Sequence, residues 1–159
     1  MRFIGNSLEE KKKKKAGVIK PGKAVIIGET QEETRHVFTD KASHSNSQIT
    51  FADVIYKADY AMLSPARKKI LNVYSENNLV YPNLTCDLTG TYQQKNIITV
   101  LHSVDVLRKE GIRIPKVSVF KGLSEVKKIS GLKGRWDEIG YNPLIICDIA
   151  HNKEGIKEV

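Results

Sequence analysis

The sequence has little of what marks a secreted, membrane-spanning or metal-stapled protein. Only two cysteines, Cys86 and Cys147, occur in 159 residues. They offer no disulfide framework and read as buried thiols in a reducing cytosol. No apolar run approaches the roughly 20 residues needed to span a bilayer. The opening Met1-Arg2-Phe3-Ile4-Gly5 has no apolar core of the kind that begins a secretory signal. Without secretion, the sequon Asn83-Leu84-Thr85 carries no meaning. His36, His44 and His102 fall at no ligand spacing with the cysteines, so no zinc site is expected. Neither a Gly-x-Gly-x-x-Gly loop nor an internal repeat is present. The expectation is a cytoplasmic protein without a membrane partner.

What is there is ordinary in bulk and uneven in detail. The length allows one domain with a proper core, and 40% hydrophobic residues suits a globular chain. The net charge is +8, a balance that suits nucleic acid, a membrane surface or an anionic small ligand. Much of it sits in one run, Lys11 to Lys15, which weakens a global nucleic-acid reading. Ser7 and Glu10 form a capping-box pattern ahead of that run. A self-repelling helix or a solvated tail is expected there. Gly17 can end the helix, and Pro21 bars its return.

Further along, Ala24 to Ile27 reads as a buried strand and Gln31 to Ala42 as a helix with Val37 and Phe38 inward. Ile49 to Tyr56 reads as a strand of imperfect alternation. Lys69 to Tyr74 and Leu79 to Tyr81 read as two antiparallel strands joined at Glu76-Asn77-Asn78. Thr91, with Gln94, makes a second capping box ahead of a helix whose apolar positions are Ile97, Val100, Leu101, Val104 and Leu107. Gly111 ends it. Another helix spans Lys116 to Ile129, with Phe120, Leu123 and Val126 inside and Gly131 as its stop. The stretch 131–142 holds three glycines and reads as a linker.

The chemistry gathers after it. Pro143-Leu144-Ile145-Ile146-Cys147-Asp148-Ile149-Ala150-His151-Asn152 is a short apolar run ending in polar residues. Such a run reads as a strand buried on both faces, as in a parallel sheet. Its polar end would lie where open α/β sheets bind ligands. There Asp148 can accept two ribose hydroxyl hydrogen bonds, and His151 can donate, accept or stack. Asn152 can cap a further helix. The alternative is a plain strand-to-helix turn. Gly17-Val18-Ile19-Lys20-Pro21-Gly22-Lys23-Ala24 is one residue from a phosphate-loop pattern, but Ala24 replaces the magnesium-binding Ser/Thr. The segment also precedes a strand, whereas a phosphate loop must open a helix.

Several blocks, in order, carry a resemblance: Gly5-Asn6-Ser7-Leu8-Glu9, Lys15-Ala16-Gly17 through Gly22, Leu88-Thr89-Gly90-Thr91-Tyr92-Gln93-Gln94-Lys95-Asn96, Gly134-Arg135-Trp136 and Asp148 to Asn152. Together they resemble the dihydrofolate synthase and folylpolyglutamate synthase family of the Mur-ligase superfamily. The resemblance covers nearly the whole chain. It implies an α/β fold: the second half of a Mur-ligase-type, phosphate-loop-like ATP-binding domain (1–130), a linker (131–143), and the first strand and helix of a Rossmann-like C-terminal domain (144–159). It further implies a fragment, inactive by itself, because the family's phosphate loop and a metal-binding histidine lie upstream of the matched blocks.

The resemblance also assigns roles. Lys15 matches a lysine carbamylated in many members, a catalytic group that can then ligate Mg2+. A lysine needs a depressed pKa to react with carbon dioxide. The neighbouring lysines would help depress it but would repel the metal, and the family's usual glutamate before it is absent. Tyr92 would stack on the adenine of ATP, with Gln93 and Asn96 on one side of the first helical turn reaching the base's polar edge. An ordinary capped helix with a half-buried tyrosine is the alternative. Arg135 would reach the nucleotide phosphates, a task suited to a planar, permanently charged fork. Asp148 would hold the ribose, and His151 would stand beside the nucleotide as a catalytic and binding residue.

The implied activity is ATP-dependent joining of L-glutamate to dihydropteroate or to a folate through an acyl phosphate. Small-molecule substrates are then the expected partners, and the parent is expected to be a monomer, with self-association of the fragment left open. A second possibility is a nucleic-acid or anion-binding module built on Lys11 to Lys15. No aromatics interleave that run, and it matches no nucleic-acid motif.

Overall fold

Val25–Ile27 (β1) and Ile49–Phe51 (β2) lie side by side in parallel, Val25 opposite Ile49 and Ile27 opposite Phe51. Parallel neighbours need a crossover, and Glu32–His44 (α1) supplies it. These elements belong to the first of two compact units, which ends at Val54; the second is Ile55–Val159. The computed structural model describes residues 16–159. Lys11 to Lys15 and the capping box at Ser7 therefore lie outside the described residues.

In the first unit, Ala42 on α1 and Phe51 on β2 are buried, and the Arg35 guanidinium stands 5.0 Å from the Phe51 ring centre. β1 is half-buried rather than fully buried. The stretch from Gly17 to Ala24 leads into this strand through turns, which is the wrong order for a phosphate loop. The strand expected over Ile49 to Tyr56 stops at Phe51. A single helical turn, Ala52–Ile55 (α2), follows. Asp53 explains the break, because its carboxylate accepts both the Thr30 N–H and the Thr30 hydroxyl, at 2.6 and 2.8 Å.

The second unit is built on an antiparallel sheet of three strands, Tyr56–Leu63 (β3), Lys69–Ser75 (β4) and Asn78–Cys86 (β5), in that order. Glu76 and Asn77 turn β4 into β5 with positive φ, as the sequence suggests. β3 was not foreseen; it is a largely exposed edge strand carrying Lys57 and Asp59. β4 alternates cleanly, with Lys69, Leu71 and Val73 buried on one face. Among the described residues, Leu71, Val73, Leu84, Cys86 and Leu101 are the largest fully buried side chains.

Gln93–Lys109 (α3) packs on β3. Its inward residues are Ile97, Ile98 and Leu101, whereas Val100 and Leu107 are exposed. Tyr56 donates its hydroxyl to Asp105 on this helix. Burial, then that bond and the Asp105 charge, push the phenol above its ordinary range. The capping box at Thr91 does not form. Tyr92 occupies the N-cap position without a side-chain cap, and the Thr91 hydroxyl instead donates to the Glu158 carbonyl at 3.2 Å.

The next expected helix is two: Lys116–Ser124 (α4), packed on β5, and Val126–Ser130 (α5). Asp87 marks the break, accepting the Lys127 N–H at 3.0 Å. Gly131, at φ +67, stops α5. The 131–142 stretch is more than a linker. Asp137–Tyr141 (β6) forms an antiparallel hairpin with Leu144–Cys147 (β7). This corrects the expected doubly buried parallel strand. β6 is the only neighbour of β7 among the described residues, so Leu144 and Ile145 stay about half exposed, at 54% and 47%. Cys147 is likewise exposed, while Cys86 is buried as expected. Lys153–Glu158 (α6) closes the chain, and the Asn152 side chain accepts the Gly155 N–H at 2.7 Å, the expected cap. Among the described residues no helix is long and apolar enough to cross a membrane.

Leu84 faces Leu71 across the β4–β5 pair with neither exposed. Leu84→Ala should cost about 2–5 kcal/mol of stability, the range for emptying a leucine site in a packed core. Urea denaturation followed by circular dichroism checks this.

Candidate functional site

Asp148 stands just past β7 and gathers donors from three segments. Its Oδ1 accepts the Ala150 N–H at 2.8 Å, which turns the chain toward α6. Its Oδ2 accepts the Trp136 N–H at 2.8 Å and the Tyr92 hydroxyl at 2.7 Å. Tyr92 comes from 56 positions earlier in the chain. A carboxylate offers about four lone-pair sites, so this pattern leaves about one free, on Oδ1. That is room for one further hydroxyl where the sequence reading allowed two.

Each donor is placed by local backbone chemistry. Gly134 and Trp136 both adopt positive φ, +68° and +56°. Gly134 must be glycine on two counts. Its φ is left-handed, and a Cβ there would lie 2.5 Å from Ile149 Cγ2. The Gly134 carbonyl in turn accepts the Ile149 N–H at 2.9 Å, tying the Gly-Arg-Trp turn to the segment after Asp148. Asp137 secures the same turn from the other side, accepting the Gly134 N–H and pairing with Lys127 at 2.6 Å. Tyr92 is presented by the turn Gly90-Thr91-Tyr92-Gln93, closed by the Gln93 N–H donating to the Gly90 carbonyl at 3.1 Å.

The electrostatics follow from this geometry. Partial burial pushes the Asp148 carboxyl up. The Tyr92 hydroxyl, the Ala150 and Trp136 N–H groups and the Arg135 charge outweigh it, and the net direction is down. Burial, then the hydrogen bond to Asp148 and its charge, push the Tyr92 phenol up to about 12. Asp137 is held below its ordinary value by the hydrogen bond from Lys127, and Glu138 by the one from Arg67.

Asp148 and Trp136 also line a cavity of about 430 Å³, walled by Ile146, Ala150, Ile156 and Val159. Its size lies in the ordinary range for small-ligand pockets. Apolar walls beside a carboxylate with spare acceptor capacity suit a flat heterocycle bearing hydroxyl groups.

Of the residues the sequence singles out, Tyr92 bonds directly to Asp148, and Arg135, in the turn beside Trp136, adds its charge. Gln93 is buried and accepts the Asn96 side-chain amide at 2.9 Å, so these two meet each other on the first turn of α3. His151 is exposed, its Nδ1 3.0 Å from the Ile149 carbonyl; in the tautomer that donates there, Nε2 is left open. Lys15 lies outside the described residues. Sequence reading missed the Trp136 backbone N–H. The Gly134-Arg135-Trp136 triplet was its signal, read for arginine alone. Among the described residues no group of three His, Cys, Asp or Glu could hold a metal ion.

No family model matches the chain. Curated relatives do match. It is 26% identical over 163 residues to the dihydrofolate synthase/folylpolyglutamate synthase of Bacillus subtilis (strain 168), which covers 100% of this chain and 36% of that protein. It is 26% identical over 156 residues to the folylpolyglutamate synthase of Lacticaseibacillus casei, covering 98% of this chain and 35% of that one. Among solved structures it is similar to an FPGS–AMPPCP–folate complex (TM-score 0.84, 24% identity, 99% of this chain and 37% of that one). It is also similar to an FPGS–AMPPCP complex (TM-score 0.79, 25% identity, 98% and 37%). The resemblance carried by the sequence blocks is therefore borne out, and the fold is the mixed α/β, Mur-ligase-type fold of those enzymes. The chain spans 36% and 35% of the length of the two curated relatives.

Acid should loosen this site. Asp137, Glu138 and Asp148 have folded pKa values below their ordinary 3.8, 4.5 and 3.8. The stability they contribute is present above those ordinary values and is lost as pH falls through the lower folded ones. In Tyr92→Phe, Asp148 loses a donor, its folded pKa rises, and the acid transition should move to higher pH. Tryptophan emission recorded during acid titration of both proteins checks this.

Proposed function

We propose that the intact protein carrying this stretch is an ATP-dependent carboxylate–amine ligase of the dihydrofolate synthase/folylpolyglutamate synthase type. It would join L-glutamate to dihydropteroate or to a folate, and the Asp148 cluster would be its nucleotide contact. The observation that carries the reading is the Asp148 carboxylate beside one cavity, bonded by Tyr92 and within reach of the Arg135 charge. The similar FPGS structures solved with AMPPCP, an ATP analogue, support it.

In this reading the remaining acceptor site of Asp148 takes a ribose hydroxyl. The Arg135 guanidinium offsets phosphate charge, as a fixed cation does where negative charge develops. Tyr92 and Asn96 stand at the first turn of α3 for contact with the base, with Gln93 fixing the Asn96 amide from beneath. His151 is assigned a place beside the nucleotide, its open Nε2 available for a proton or a hydrogen bond. ATP would activate the pterin-bearing carboxylate as an acyl phosphate, which the α-amine of glutamate then attacks to release phosphate and leave an amide. Magnesium would be held at Lys15 once that residue is carbamylated, outside the described residues. The nucleic-acid alternative rests on Lys11 to Lys15 and gains no support from the described residues.

Release of ADP by the intact enzyme, measured with each substrate omitted in turn, tests the ligase reading. Turnover that continues without glutamate would overturn it. A hydrogen bond to a charged group is worth about 1.5–3 kcal/mol. Asp148→Ala in the intact enzyme should therefore weaken ATP binding by about tenfold to a hundredfold, as read from the ATP dependence of the rate.

A further inference from the structure

Lys69 occupies a position where an apolar residue is the ordinary choice. It shares the inward face of β4 with Leu71 and Val73, and only 5% of it is exposed. Placing an ammonium there is costly unless it is given acceptors. The structure gives it one: Nζ donates to the Gly90 carbonyl at 2.8 Å. The Tyr60 ring lies 5.9 Å away as a weaker, electrostatic neighbour. Burial pushes the ammonium pKa down, with the nearby Cys86 thiol acting the other way.

The acceptor is not an arbitrary carbonyl. Gly90 O also takes the Gln93 N–H at 3.1 Å, so it closes the turn that opens α3. The Tyr92 ring lies directly over Gly90. A Cβ there would stand 2.8 Å from Tyr92 Cε1 and 3.3 Å from Trp136 Cβ. Gly90 is thus the floor beside two of the three donors to Asp148, Tyr92 and Trp136, and Lys69 holds that floor from inside the sheet. Lys69 is not itself one of the residues lining the cavity.

We propose that Lys69 is a positioning residue for the Asp148 site: its ammonium fixes the Gly90 carbonyl, and through it the Tyr92 hydroxyl and the wall formed by Trp136. The nucleotide part of this assignment rests on the function proposed above. The positioning part does not, and the two are separable by experiment. A cation retained on a core-facing strand position is there for the geometry it imposes, because a hydrophobe of similar volume in such a place is often neutral or stabilising.

The test uses the intact protein, with Trp136, the single tryptophan of these 159 residues, as the reporter and any tryptophan elsewhere replaced by phenylalanine. Lys69→Met keeps the side-chain length and removes the donor. Its melting temperature should equal or exceed that of the wild type. Acrylamide quenching of Trp136 should rise about twofold, and the dissociation constant for ATP, measured by calorimetry, should rise about tenfold, the loss expected for one charged hydrogen bond. Lys69→Arg keeps a charged donor and should hold quenching and affinity within about threefold of wild type. Unchanged quenching in Lys69→Met would overturn the proposal, as would a lowered melting temperature with the site signal intact. Should Lys69→Met not fold, loss of the wild-type signal in a folded Lys69→Arg would also overturn it. Absence of ATP binding by the wild type would count against the nucleotide reading alone, while the quenching comparison still decides the role of Lys69.

Discussion

Three donors meet on the carboxylate of Asp148: a phenol from the start of α3, an amide from the Gly-Arg-Trp turn and an amide from the residue two places on. An ionised carboxylate in a partly buried place is tolerated only when its lone pairs are met. The chain has therefore to deliver Tyr92 and Trp136 to the same spot, and much of the second unit can be read as the means of doing so. The sheet supplies Lys69 beneath Gly90, α5 supplies Lys127 to Asp137, and Asp137 steadies the glycine before Trp136. Backbone in the left-handed region at Trp136 costs about 1–3 kcal/mol, and such conformations persist where the surroundings over-determine them. Here they do.

Much of this was legible in the sequence where the pattern was local. The β4–β5 hairpin follows from alternation on either side of Glu76-Asn77-Asn78, and the Asn152 cap from the residue type ahead of a short helix. The pairing of Asp148 with Tyr92 was legible only as a resemblance, because nothing local links positions 56 apart. β3 stayed hidden since an exposed edge strand need not alternate. Thr91 misled because its hydroxyl finds a distant carbonyl, Glu158, in place of the helix it precedes. The Leu144 run misled because four apolar residues fit a hairpin as readily as a doubly covered strand, and periodicity cannot separate the two.

The same comparison explains why the site was half found. Side chains with evident chemistry, Asp148, Arg135 and Tyr92, draw attention in any reading. Backbone groups do not, yet the Trp136 and Ala150 amides supply two of the three bonds to Asp148. Lys69 was visible as a letter in a strand, but its meaning lies in facing inward, and that depends on the register of β4 against its neighbours.

The stacking of Gly90, Tyr92 and Trp136 has an evolutionary consequence. Residues that share one partner and touch one another do not vary independently; their effects on stability are coupled, commonly by about 0.5–3 kcal/mol. Enlarging Gly90 is tolerable only alongside a smaller or displaced ring at 92, and its added Cβ would stand 3.3 Å from the Cβ at 136. These positions should drift as a block through related sequences, a linked set of letters in which a change at one licenses or forbids a change at the next.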